Sequence, residues 1–208
     1  MTTVKMAIPR DFILGAAASA WQTEGWSGKQ EGQDSWPDLW YKNDRHVWHN
    51  GYGPAVATDF INRFREDVQL MKLAGLTHYR TSINWSRFLT DYENVTVDEA
   101  YATYYDQLFD ELLANGIEPM INLYHFDMPE ALQKQYGGFE SAHVTDLFAR
   151  FARTAFELFG HKVKYWITFN EPIVPVEGGY LYDFHYPCKK DGSLAAQVAF
   201  NIMLAHAK

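Results

Sequence analysis

The sequence predicts an α/β chain that supplies the first four βα units of a TIM (β/α)8 barrel. Three observations predict it. Four short apolar segments each precede an amphipathic helical pattern, which implies a parallel sheet with helical crossovers. Polar residues collect at the carboxyl ends of these segments, at Arg80, His125, Asn170 and Glu171, and barrel enzymes build their sites at that rim. No GxGxxG or GxxxxGK loop occurs, which argues against the doubly wound sheet that the same alternation would also fit.

The elements follow in order. The first strand is Phe12-Ile13-Leu14-Gly15, and a Gly- and Trp-rich connection then runs to about residue 57. Phe60, Phe64, Val68 and Met71 share one helical face, with Thr58 as the expected cap and Gly75 as the stop. The second strand spans His78 to Ile83. Its helix carries Tyr101, Tyr105, Leu108 and Leu112 in one stripe and closes at Asn115-Gly116. The third strand runs from Pro119 to His125, followed by a helix with Val144, Leu147, Phe148, Phe151, Ala155 and Leu158 that ends at Gly160. Lys164 to Phe169 form the fourth strand, and a last helical pattern starts near Ser193 with Ala195, Val198, Ile202 and Ala205 on one side. That pattern reaches Lys208 without a Gly, Asn or Pro stop. Four parallel strands leave two open edges and a bare sheet face. The expectation is therefore that residues 1–208 are the amino-terminal half of a single barrel domain.

Composition narrows the partners. A net charge of -8 opposes a phosphate backbone or an anionic membrane, so neither nucleic acid nor membrane is expected. Residues 1–10 hold no apolar core of signal-peptide length, and the expected location is cytoplasmic. Cys188 is the lone cysteine and is expected only to pack. His46 and His49 flank Trp48 but lack a third ligand in the sequence pattern, so no metal or cofactor is expected. Aromatic residues make up 16% of the chain, with seven Trp, and a flat apolar ring with a polar edge suits a sugar. Most such rings nevertheless belong to the core.

Thr168-Phe169-Asn170-Glu171-Pro172 is the sharpest motif. It sets an amide and a carboxyl side by side at a strand end, which Pro172 helps to terminate. In an aromatic, partly desolvated site such a carboxyl has a raised pKa and can donate a proton to a leaving oxygen.

Four blocks then resemble glycoside hydrolase family 1, in that family's order and spacing. They are Phe12 to Gly25, Tyr79 to Arg87, Leu123 to Pro129 and Thr168 to Pro172. The resemblance implies retaining β-glycosidase chemistry, with Glu171 as the acid/base and Asn170 binding the sugar 2-hydroxyl. It assigns Gln22 and His125 to glycone binding, and Arg80 to the place beside the nucleophile. Glu24 is either a site residue or a brace for the first strand. The chain departs from the family in lacking a Thr/Ile-Glu-Asn-Gly-like nucleophile block, and it is expected to be a truncated product that is inactive alone. The stretch Ile173 to Pro187, and Phe126 after His125, resemble bacterial 6-phospho-β-glucosidases more than plain β-glucosidases. The implied ligand is a small β-glucoside or phospho-β-glucoside. The alternatives are a plain β-glucosidase fragment or a non-catalytic sugar-binding half-barrel. The bare sheet edges suggest self-association or pairing with the missing half.

Overall fold

The computed structural model describes Pro9 and residues 11–208; most of the segment read above for a leader lies outside them. Four parallel strands form one sheet in chain order: β1 (Gly15–Ala17), β2 (His78–Ser82), β3 (Glu118–Tyr124) and β4 (Tyr165–Phe169). The crossover helices are α1 (Phe60–Leu73), α2 (Glu99–Ala114), α3 (Ala142–Phe159) and α4 (Gly192–Ala207). Strand, helix and next parallel strand recur as the alternation requires.

Register separates the two faces of the sheet. Arg80 pairs with Met120, which pairs with Tyr165, and this row is half-buried or exposed. The alternate row, including Tyr79, Thr81, Ile121 and Leu123, is buried. Tyr79 packs against Phe60 of α1 with ring centroids 5.8 Å apart. One face therefore carries the helices, while the other is open at the Arg80 row and closed toward its carboxyl end, where Ser82, Asn122 and Tyr124 are buried. β1 and β4 each pair on one side only.

Two expected elements shift. Pairing of the first strand begins at Gly15, three residues later than the apolar run suggested. Phe12, Ile13 and Leu14 are 54%, 60% and 40% exposed; of the three, Leu14 alone bonds to the start of the second strand segment, its carbonyl accepting from the Thr77 and His78 N–H and its N–H donating to Thr77 Oγ1. The apolar run lies at an edge with no strand beyond it. Thr58 does not cap α1: its hydroxyl donates to the Thr23 carbonyl, and left-handed Asp59 (φ 55°) occupies the cap position. The other three crossover helices have side-chain caps. Asp98 accepts from the Tyr101 N–H, Ser141 from His143, and Asp191 from Ser193 and Leu194. No helix among the described residues is long and apolar enough to cross a membrane.

Candidate active site

The site is built where β3 and β4 end. The Asn170 N–H donates to the Tyr124 carbonyl at 2.9 Å, carrying strand pairing one residue past β4. Glu171 then turns sharply, with a left-handed φ of 39°, and its carbonyl accepts from Val174 as the helical turn Ile173–Val176 begins. A non-glycine residue in that region costs about 1–3 kcal/mol and is held only by its surroundings. Glu171 is exposed at this elbow.

Arg80, on β2, organises the cluster. Its Nη2 donates to Asn170 Oδ1 at 2.7 Å and to Asn122 Oδ1 at 3.2 Å. A guanidinium only donates, so both amides must present oxygen to it. Asn170 Nδ2 is thereby turned toward Glu171, with Oε2 at 3.5 Å. Burial lowers the Arg80 pKa, and the Glu171 carboxylate opposes that shift.

His125 is 6% exposed and held at both ends of its peptide. Its N–H donates to Asp127 Oδ1 at 2.8 Å, and its carbonyl accepts from the Trp21 indole at 2.8 Å. The chain then passes through Phe126 in a left-handed conformation, φ 67°. Nδ1 of His125 is buried with no partner among the described residues. Burial first, and the Arg80 charge second, push this imidazole down to about 4, so it is neutral near pH 7. Asp127 is fully buried and also accepts from the Trp85 N–H at 2.7 Å; burial raises its pKa to about 7.

Gln22 follows Trp21 in the short turn Ala20–Thr23, whose first N–H donates to Ser82 Oγ at 2.9 Å. Its Oε1 lies 2.8 Å from the Ser19 hydroxyl. It lines two adjoining cavities of about 360 Å³ and 620 Å³, neither of which includes Arg80, His125, Asn170 or Glu171. The structure therefore joins Arg80, Asn170 and Glu171 by hydrogen bonds, with His125 in the electrostatic field of Arg80. Gln22 is tied to that group through the neighbouring Trp21.

Three expectations are corrected or settled. Glu171 is exposed rather than partly desolvated, because no residue described here covers the elbow. Cys188 is exposed rather than packed, on a loop in which its thiol donates to the His185 carbonyl at 3.1 Å. Glu24 is a brace: it is 2% exposed, bonded to the Tyr101 hydroxyl and to the Tyr105 hydroxyl at 2.9 Å, with Arg87 at 3.9 Å. Sequence reasoning missed Asn122, Asp127 and Trp21. An amide inside the apolar run Pro119 to Leu123 was the available signal for Asn122.

A four-stranded parallel sheet with crossover helices and a polar cluster around one carboxylate at its carboxyl rim is the arrangement of part of a TIM barrel. The family model described as Glycosyl hydrolase family 1 matches residues 4–208, and the chain belongs to that family. It is 47% identical to a 6-phospho-beta-glucosidase, GmuD, of Bacillus subtilis over 99% of this chain and 44% of that protein. It is 38% identical to a cytosolic beta-glucosidase of Cavia porcellus, over 98% of this chain and 43% of the other. A solved beta-glucosidase from Thermotoga maritima, in complex with castanospermine, superposes with a TM-score of 0.89 at 35% identity. That match covers 96% of this chain and 45% of that one. The chain thus spans less than half the length of these relatives.

Proposed function

We propose that this chain supplies the acid/base half of a retaining β-glucosidase, acting on 6-phospho-β-glucosides in preference to plain ones. The observation that carries the reading is the hydrogen-bonded group Arg80–Asn170–Glu171 at the carboxyl rim. In the first step, Glu171 gives its proton to the glycosidic oxygen as that oxygen leaves the anomeric carbon. A second carboxylate attacks the same carbon from the opposite face. In the second step, Glu171, now ionised, takes a proton from water, whose oxygen displaces the enzyme carboxylate. Asn170 Nδ2 is oriented by Arg80 to hold the 2-hydroxyl. His125 and Gln22 offer polar groups to the rest of the glycone.

Retention needs the two carboxyls about 5–5.5 Å apart. No family-like nucleophile block occurs in the 208 residues, so residues 1–208 act as one part of a larger barrel domain and are inactive alone. Similarity to a 6-phospho-beta-glucosidase at 47% identity supports the phosphorylated substrate, and a cytoplasmic location goes with it.

The test is hydrolysis of p-nitrophenyl β-glucoside and of its 6-phosphate by the chain alone and after completion with the carboxyl-terminal part of a family 1 enzyme. Turnover only after completion, faster on the 6-phosphate, is the expected result. Turnover by the 208 residues alone would overturn the two-part reading, and equal rates on both substrates would overturn the phosphate preference.

A further inference from the structure

A buried amide closes a ring of hydrogen bonds around Asn170. Asn122 lies on β3, inside the otherwise apolar run Pro119 to Leu123, and is fully buried. It pairs in register with Ser82, so its side chain shares a face of the sheet with Arg80, two residues earlier on β2. Asn122 Oδ1 accepts from Arg80 Nη2 at 3.2 Å, and the same Nη2 donates to Asn170 Oδ1 at 2.7 Å. At its other end, Asn122 Nδ2 donates to the Tyr124 carbonyl at 2.5 Å. That carbonyl also accepts from the Asn170 N–H at 2.9 Å. Asn122 thus reaches Asn170 twice, through Arg80 to the side chain and through the Tyr124 carbonyl to the backbone.

The chemistry of the two neighbours fixes the amide one way round. A guanidinium only donates and a carbonyl only accepts, so Oδ1 must face Arg80 and Nδ2 must face Tyr124. Asn170 Oδ1 is claimed by the same guanidinium, which leaves Asn170 Nδ2 as its free end, 3.5 Å from Glu171 Oε2. The sheet does not need the Asn122 side chain for pairing, because the β3 backbone already pairs with β2 and β4. Burying an amide costs free energy unless it is bonded, and an apolar side chain would fill the position without that cost. Leucine there would cut both routes to Asn170. Aspartate would set a second acceptor against the Tyr124 carbonyl.

We propose that Asn122 is a positioning residue that locks the Asn170 amide with its NH2 group turned toward the 2-hydroxyl of the sugar. The proposal rests on the glycosidase reading above and deepens it, because recognition of that hydroxyl then belongs to a hydrogen-bonded ring and not to Asn170 alone. Asn122 acts through Arg80 and Asn170 and makes no substrate contact itself.

Nitrogen relaxation of the side-chain amides, followed by NMR in the 208-residue chain, reads the lock without turnover. The Asn170 NH2 group is expected to be as rigid as the backbone in the wild type. Asn122→Leu should make it as mobile as that of exposed Asn43. A mobile wild-type amide, or a rigid one in the variant, overturns the lock. Should leucine prevent folding, Asn122→Ser replaces it, its single hydroxyl being one bond shorter than the amide. In a completed barrel, kcat/KM is then compared for p-nitrophenyl β-glucoside and its 2-deoxy analogue. Asn122→Leu should lower the ratio of the two about fivefold, the worth of one net hydrogen bond. A purely structural role would lower both alike, so an unchanged ratio overturns the positioning role. Asn170→Ala should collapse the ratio, and adding Asn122→Leu to it should change it no further; a further change overturns the route through Asn170. A ratio that Asn170→Ala leaves intact overturns the underlying reading of Asn170, whereas failure of the Asn122 variant alone leaves that reading standing. Absence of turnover by the completed wild type overturns the glycosidase reading and the proposal with it.

Discussion

Two glutamates contrast a structural carboxylate with the one proposed for chemistry. Glu24 is 2% exposed, tied to two tyrosine hydroxyls and facing Arg87, whose guanidinium also donates to the Gly25 and Ser27 carbonyls at 2.9 and 2.6 Å. Burial pushes its pKa up, against the pull of Arg87 and then of the tyrosines. Glu171 sits exposed on a left-handed elbow, with one long contact from Asn170. Both lie in blocks that mark the family. A carboxylate whose partners are all internal holds elements together, whereas one with its lone pairs left open is available to a substrate. Substitutions at the two positions should therefore fail in different assays.

The largest expected effect is on rate. In a completed barrel, Glu171→Gln should lower kcat for an unactivated β-glucoside about 10²–10⁴-fold, the range for losing a positioned acid/base. The melting temperature should hardly move. A rate within a factor of ten of wild type would assign the proton transfer elsewhere.

Glu24→Ala should show the reverse. It leaves Arg87 as a buried cation without its carboxylate, and breaking such a pair costs about 3–5 kcal/mol. Urea unfolding of the 208-residue chain measures this directly. A loss under about 1 kcal/mol would mean that the carbonyl bonds of Arg87 suffice, and the network would be dispensable.

Near the rim, two buried titratable groups oppose each other. His125 has a folded pKa of about 4, below its ordinary 6.5. Unfolding takes up a proton between those values, so its contribution is complete above about pH 6.5 and is lost as pH falls toward 4. Asp127 has a folded pKa of about 7, above its ordinary 3.8. Folding there favours the protonated form, so its contribution is complete below about pH 4 and is lost as pH rises through 7. Between pH 4 and 6.5 the two slopes have opposite sign. His125→Asn should make stability fall more steeply with rising pH, and Asp127→Asn should make it rise. Carbon-bound imidazole protons followed by NMR should titrate for His125 near pH 4. A midpoint above 6 would place that ring in a wetter environment than the structure gives it.

Legibility followed the range of the interactions. Strands β2 to β4 and all four crossover helices could be read within one or two residues of their ends. Local apolar periodicity drives them, and Asp98, Ser141 and Asp191 stand at three of their starts. The first strand was misplaced because its paired residues, Gly15 to Ala17, are small and the larger apolar residues before them lie unpaired at an edge. The role of Glu24 stayed open because its partners lie 77 and 81 residues away. The bond from Arg80 to Asn170 spans 90 residues, and nothing in either segment alone announces it. The candidate site residues were named through their motif, while the contacts that orient them came from the fold.

The smallest effect sharpens the same comparison. If the elbow at Glu171 is held for chemistry alone, removing its side chain should cost the fold nothing. Glu171→Gly deletes the one long contact to Asn170 and relieves the left-handed φ of 39°, which glycine adopts freely. Unfolding free energy should stay within about 0.5 kcal/mol of wild type or rise slightly. Glu171→Ala keeps a Cβ at the same φ and should fall below the glycine variant by up to about 1 kcal/mol. If glycine instead costs more than alanine, the elbow is not strained. The exposure of Glu171 would then reflect an ordinary loop, and the contrast with Glu24 would rest on hydrogen bonding alone.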